Sequence, residues 1–94
     1  MKKIQKDYNS FIKEIDNIGL FISLGQPTQF RLLNKMGPDI FLRVFRWSYD
    51  SIAIDFIVHR RGQIISEFNS LEDILSLIDK ETAQKLIFNL DLFI

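Results

Sequence analysis

The chain has 94 residues, twelve basic and twelve acidic side chains, one histidine and no cysteine. This length sets one domain with a single core, residues 1–94. The cancelled charge excludes a global field toward polyanions, and the missing cysteines exclude disulfides, thiolate catalysis and cysteine-based zinc sites.

The amino terminus, Met-Lys-Lys-Ile-Gln-Lys, has no apolar stretch directly behind its lysines, so it does not read as a secretory leader. Residues 2–18 carry Ile4, Tyr8, Phe11, Ile12, Ile15 and Ile18 at offsets of three and four, which predicts an amphipathic helix closed by Gly19. Residues 20–24 are short and apolar and are followed by Gly25, Gln26 and Pro27, which predicts a strand ended by a turn. The weakly charged run over 18–30 is too interrupted by glycine and proline to span a bilayer. A cytoplasmic protein without membrane contact is the expectation. Residues 28–35 predict a second strand with Phe30 and Leu32 inward, and Met36-Gly37-Pro38-Asp39 a turn.

Residues 40–47 and 52–59 alternate with a period of two. Ile40, Leu42, Val44, Ile52, Ile54, Phe56 and Val58 share one side; Phe41, Arg43, Phe45, Trp47, Asp55 and His59 share the other. A three-residue loop, Ser48-Tyr49-Asp50, sets Val44 opposite Ile54 and Arg43 opposite Asp55. A second three-residue loop, Arg60-Arg61-Gly62, sets Val58 against Ile64 and Asp55 against Glu67. Ser70 and Asp73 have the spacing of a capping box ahead of a helical stripe of Leu71, Ile74, Leu75 and Ile78. Asp79 caps a further helix carrying Ala83, Leu86, Ile87 and Leu90. Alternation of Phe88, Leu90, Leu92 and Ile94 would also suit a strand, and helix is preferred because residues 82–87 continue into it. The expected fold is α+β: an N-terminal helix, a mostly antiparallel sheet of four or five strands, and two C-terminal helices packed on the sheet.

Catalytic patterns are missing. The sequence contains no HExxH, Walker A loop, GxGxxG or EF-hand spacing. Asp55, Glu67 and Arg43 could form an acid–base pair or a cation cradle, but an ion-pair row that fixes strand order, at about 0.2–1 kcal/mol per pair, is the simpler reading. His59 lies four residues from Asp55 along a strand, roughly 13 Å, and Ser66 points to the opposite side, so no nucleophilic triad forms. The expectation is a protein that is not an enzyme and takes no cofactor or metal.

The surface with chemical character is Phe41, Arg43, Phe45 and Trp47, with Arg31 on the preceding strand and His59, Arg60 and Arg61 toward the far hairpin tip. Aromatic residues and arginine are enriched at protein interfaces, so a protein partner is the first expectation. The same residues could stack and neutralise single-stranded nucleic acid, which is the alternative; Asp55 and Glu67 in that face and the zero net charge argue against it. A third reading is an oligomer that sequesters a small molecule at a subunit junction. The apolar C-terminal residues 86–94 would serve a homodimer or dock within the chain. A bland alternative buries the aromatic side under a helix. Small cysteine-free domains rich in Lys, Ile, Phe and Asn, without catalytic signatures, are common among phage and mobile-element inhibitors that occupy a host protein's surface. That analogy of class sets the functional expectation.

Overall fold

Asp7 decides where the first helix begins. Its carboxylate accepts the Ser10 N–H at 2.9 Å, an N-cap bond that satisfies one of the free donors of the first turn. The computed structural model describes residues 1–25 and 28–94. In it the helix α1 runs Tyr8–Ile18, and Lys2–Ile4, expected to be helical, forms a strand, β1. Ile4 reaches the core by pairing opposite Ile52 rather than through a helical stripe. Gly19 ends α1 in the left-handed conformation, φ 74°, as its position predicts.

Five further strands follow: β2 Phe21–Ser23, β3 Gln29–Leu32, β4 Asp39–Ser48, β5 Ser51–Arg60 and β6 Gln63–Phe68. The expected strands over 20–24 and 28–35 are thus present but shorter. Of the turn expected between them, Gln26 and Pro27 lie outside the described residues. Among the described residues the six strands form one antiparallel sheet in the order β2, β3, β4, β5. The outer edge of β5 is shared: β1 pairs along Ile52–Ile54 and β6 along Phe56–Arg60. Because β1 and β2 lie on opposite edges, α1 has to cross the sheet. Its 11 residues span about 16 Å, close to the roughly 19 Å width of five strands. Phe11 and Ile15 on its inner side are fully buried.

The first hairpin has the expected register, Val44 opposite Ile54 and Arg43 opposite Asp55. Its turn is two residues, Tyr49 and Asp50, rather than three, because a bulge at Trp47 takes up the odd residue between the Arg46–Ile52 and Ser48–Ser51 pairs. The second hairpin differs more. Arg61 and Gly62 both have positive φ, 56° and 77°, the signature of a two-residue type I′ turn. Arg60 pairs with Gln63 and His59 with Ile64; a bulge at Ile65 then shifts the ladder so that Val58 meets Ser66 and Ile57 meets Glu67. The predicted Val58–Ile64 and Asp55–Glu67 pairs therefore do not form. The bulge restores the parity that keeps Glu67 out of the core and puts Phe68 opposite Phe56 inside it.

Beyond the sheet come a 3-10 helix over Leu71–Leu77, α2 over Lys80–Phe88, and a 3-10 turn over Leu90–Phe93. The chain end is helical, as preferred. The segment after Ser70 is 3-10 rather than α-helical, and its expected capping box is not made: the Ser70 hydroxyl donates to the Asp73 carboxylate at 2.9 Å and caps no backbone N–H. Asp79 does cap α2. It accepts the Thr82 N–H at 3.0 Å and also the Lys35 N–H at 2.9 Å, so it ties the β3–β4 connection to the helix. The Lys35 and Thr82 backbone bonds hold its carboxyl down at about 2, below the usual carboxylate value. A depressed carboxyl stabilises the fold above its unfolded pKa and loses that contribution as pH falls through the folded one. Stability is therefore expected to drop between about pH 4 and pH 2 more steeply in the wild type than in Asp79→Asn, as urea midpoints measured across that range will show.

The aliphatic side of the hairpin is the core side. Ile40, Leu42, Val44, Ile52, Ile54, Phe56 and Val58 pack with Phe11, Ile15, Leu71, Ile74, Leu86 and Phe93. The described helical residues that enter the core do so on this side, and the other side of the sheet carries no helix among the described residues.

Candidate partner-binding face

The register assembles the uncovered side in rows. Ile22, Arg31, Phe41, Ile57 and Glu67 lie side by side across β2 to β6. Next come Gln29, Arg43 and Asp55, then Phe45, Ala53 and Lys3. Asp39, His59 and Ile64 form the row at the opposite end. Phe41, Arg43, Phe45, Trp47, Arg31 and His59, predicted from spacing to share a surface, do so. Arg60 and Arg61 stand at the β5–β6 tip, at the end of these rows rather than in them.

At the centre Arg43 grips Asp55 with two hydrogen bonds, Nε to Oδ1 at 2.7 Å and Nη2 to Oδ2. The fork geometry of a guanidinium matches a carboxylate in this way. Glu67 adds a third contact, 3.6 Å from Nη2. Hydrogen bonding to Asp55 holds the guanidinium pKa above its ordinary value. Arg31 pairs with Asp39 at 3.1 Å. The three rows and their end row thus hold three cations, Lys3, Arg31 and Arg43, against three anions, Asp39, Asp55 and Glu67.

Rings surround the central pair. The Phe41 and His59 rings lie 4.8 Å apart. The Arg43 guanidinium sits 5.8 Å from the Phe45 ring. The Lys3 ammonium stands 3.8 Å over Trp47, whose indole is 58% exposed. Ile22 and Ile64 are half-exposed at the margins. Lys3 and Ile22 were not marked by spacing: Lys3 falls inside the run that reads as helix, and only Asp7, a preferred N-cap residue, signals that the helix starts after it.

The Arg43–Asp55 pair is structural, because the Asp55 side chain is only 5% exposed. Removing the guanidinium strands a buried carboxylate. Arg43→Ala is expected to lower unfolding stability by about 3 kcal/mol in urea denaturation, and Asp55→Leu combined with Arg43→Met to recover most of that loss.

Among the described residues no three His, Cys, Asp or Glu side chains gather into a metal-holding group. Ser66 lies opposite Val58 on the core side, away from His59. The two described hollows lie elsewhere. One of about 360 Å³ is lined by Glu14, Asn17, Ile18, Asn89 and Leu92, the other of about 200 Å³ by Asp7, Tyr8, Asn9, Arg46 and Tyr49. No described helix is long and apolar enough to cross a membrane. Comparison of the chain with protein-family models, with curated proteins and with solved structures finds no match.

Proposed function

We propose that the chain is a non-enzymatic protein-binding module whose partner covers the uncovered side of the sheet, in the manner of a small inhibitor that occupies another protein's surface. One observation carries this reading: the face is aromatic and aliphatic, and its Arg31 and Arg43 are already matched by carboxylates. A polyanion would have to displace Asp39, Asp55 and Glu67 before reaching those guanidinium groups, whereas a protein surface needs only to cover the rings. The cysteine-free composition suits a reducing, cytoplasmic setting.

The test uses side chains exposed enough to change without unfolding the domain. The wild-type chain, Trp47→Asp and Ile22→Asp are immobilised and offered a nuclease-treated cell extract, with circular dichroism to show that all three fold. A protein retained by the wild type and released by both variants supports the reading. Retention by both variants places the contact elsewhere. Emission of Trp47, the single tryptophan, is followed in parallel during titration with mixed single-stranded oligonucleotide. Quenching that disappears steeply with added salt would replace the protein partner by nucleic acid.

A further inference from the structure

Arg61 is the one non-glycine residue among the described residues with a positive φ, 56°. It occupies the first central position of a type I′ turn, where Asn, Asp or Gly relieves the left-handed backbone and a long cation does not. The turn chemistry alone therefore does not account for arginine here. Arg60 beside it is also exposed, and among the described residues neither arginine has a carboxylate partner, unlike Arg31 and Arg43. Past Gln63, itself exposed and paired with Arg60, come two exposed aliphatic side chains: Ile64, opposite His59, and Ile65 on the bulge, at 56% and 50% exposure. Two guanidinium groups without a carboxylate partner and two exposed isoleucines therefore lie within six residues at the hairpin tip. Ile64 lies on the uncovered side with His59, and Arg60 lies, by strand parity, on the other, so that a segment crossing the tip meets both.

We infer that this tip docks an acidic, apolar segment of a partner protein, with carboxylates on Arg60 and Arg61 and aliphatic side chains against Ile64 and Ile65. Charge complementarity assigns the carboxylates, because neither tip guanidinium has a carboxylate partner among the described residues. The isoleucines favour protein over nucleic acid, since branched aliphatic side chains offer no ring on which a base can stack. Backbone strain kept at an exposed, charged turn is what a recognition element shows when contact outweighs local stability. The inference rests on the protein-binding reading and names the chemistry of the partner at its tip end.

Fluorescence anisotropy of the full chain with short labelled peptides tests it. The probes are an alternating Glu/Leu peptide, a Glu/Ser peptide of the same charge, a Lys/Leu peptide and a mixed single-stranded oligonucleotide. The Glu/Leu peptide is expected to bind best. Arg60→Gln and Arg61→Asn should each weaken it by roughly tenfold, the size of a lost charge-assisted hydrogen bond. Arg61→Asn should at the same time raise the thermal midpoint, because Asn accepts the left-handed turn more readily; a purely structural arginine would show the reverse. Equal binding by both variants, or by the Lys/Leu peptide, overturns the inference. Equal binding of the Glu/Ser peptide overturns it too, by reducing the tip to an unspecific anion patch. Tighter, salt-sensitive binding of the oligonucleotide overturns it in favour of phosphate. Failure here is separable from failure of the face: unaffected peptide binding in the arginine variants with extract capture lost in Trp47→Asp removes the tip alone, whereas capture that survives Trp47→Asp removes the face.

Discussion

Gly37→Ala is expected to destabilise the domain by about 3–4 kcal/mol, among the larger effects a single methyl group can have. Gly37 lies between β3 and β4 with φ 93°, a conformation that costs an L side chain about 1–2 kcal/mol by itself. The larger part comes from what a Cβ would meet. It would stand 2.2 Å from the Leu77 carbonyl oxygen and 3.4 Å from its carbon. Those are backbone atoms at the end of the 3-10 helix, held by the buried Leu71 and Ile74, so no rotamer change relieves the contact. The turn cannot retreat freely either, because the Asn34 amide donates to the Met36 and Pro38 carbonyls at 2.6 and 3.2 Å. Gly62→Ala provides the control. Its φ is also positive, 77°, but nothing lies within 4 Å of its Cβ position, so only the conformational cost of about 1–2 kcal/mol remains. Urea denaturation of the two variants will separate clash from strain, and a loss at Gly37 no greater than that at Gly62 would show that the turn and the 3-10 helix are not in contact.

Phe56→Ala should cost about 3–5 kcal/mol, the range for emptying a buried phenyl site. For a domain this small, whose whole stability is expected near 5–10 kcal/mol, that approaches unfolding. Phe56 is 0% exposed and lies on β5 between Leu42 and Phe68. Its ring is 6.0 Å from that of Phe93, which in turn meets Phe11 edge-on at 5.9 Å. The cavity would therefore open where the sheet, α1 and the C-terminal turn converge, and no single element could collapse to fill it. Phe45→Ala, one strand away on the half-exposed side, should cost no more than about 1–2 kcal/mol, since its ring is only partly removed from water. Thermal midpoints of the pair test the assignment of the two faces: similar losses would mean that both sides of the sheet are covered.

The organisation of the central hairpin was legible because strand parity is a local property. Each residue of β4 and β5 points opposite to its neighbours, so Ile40, Leu42 and Val44 had to share a side and Phe41, Arg43 and Phe45 the other. The first register followed, because only one parity matches two aliphatic sides. Gly19 and Asp79 were legible for a similar reason: a helix C′ glycine and an N-cap carboxylate act within one turn of where they stand. The second hairpin was misjudged because a short turn and a compensating bulge reach the same parity as a longer loop. Alternation constrains parity and leaves the pairing partner open, so Glu67 lies beside Ile57 rather than Asp55.

For the candidate site, the residue types and their shared side were visible in the chain, while their electrostatic state was not. That both Arg31 and Arg43 are neutralised depends on where Asp39, Asp55 and Glu67 finish across three strands. Lys3 reaches Trp47 only because β1 pairs with β5 across some fifty residues of chain, a contact with no local sequence signal.

The sequence by itself determined a small cysteine-free α+β fold and the two sides of its central hairpin, since these follow from composition and short-range periodicity; between helix and strand for the last residues it gave only a preference. Only the tertiary structure decided which side lies open. The choice comes from β1 and β2 pairing on opposite edges of the sheet, which obliges α1 to cross it; the aliphatic side buries more apolar surface under that helix, and the aromatic side is covered by no described helix, its β4 rings staying half-exposed.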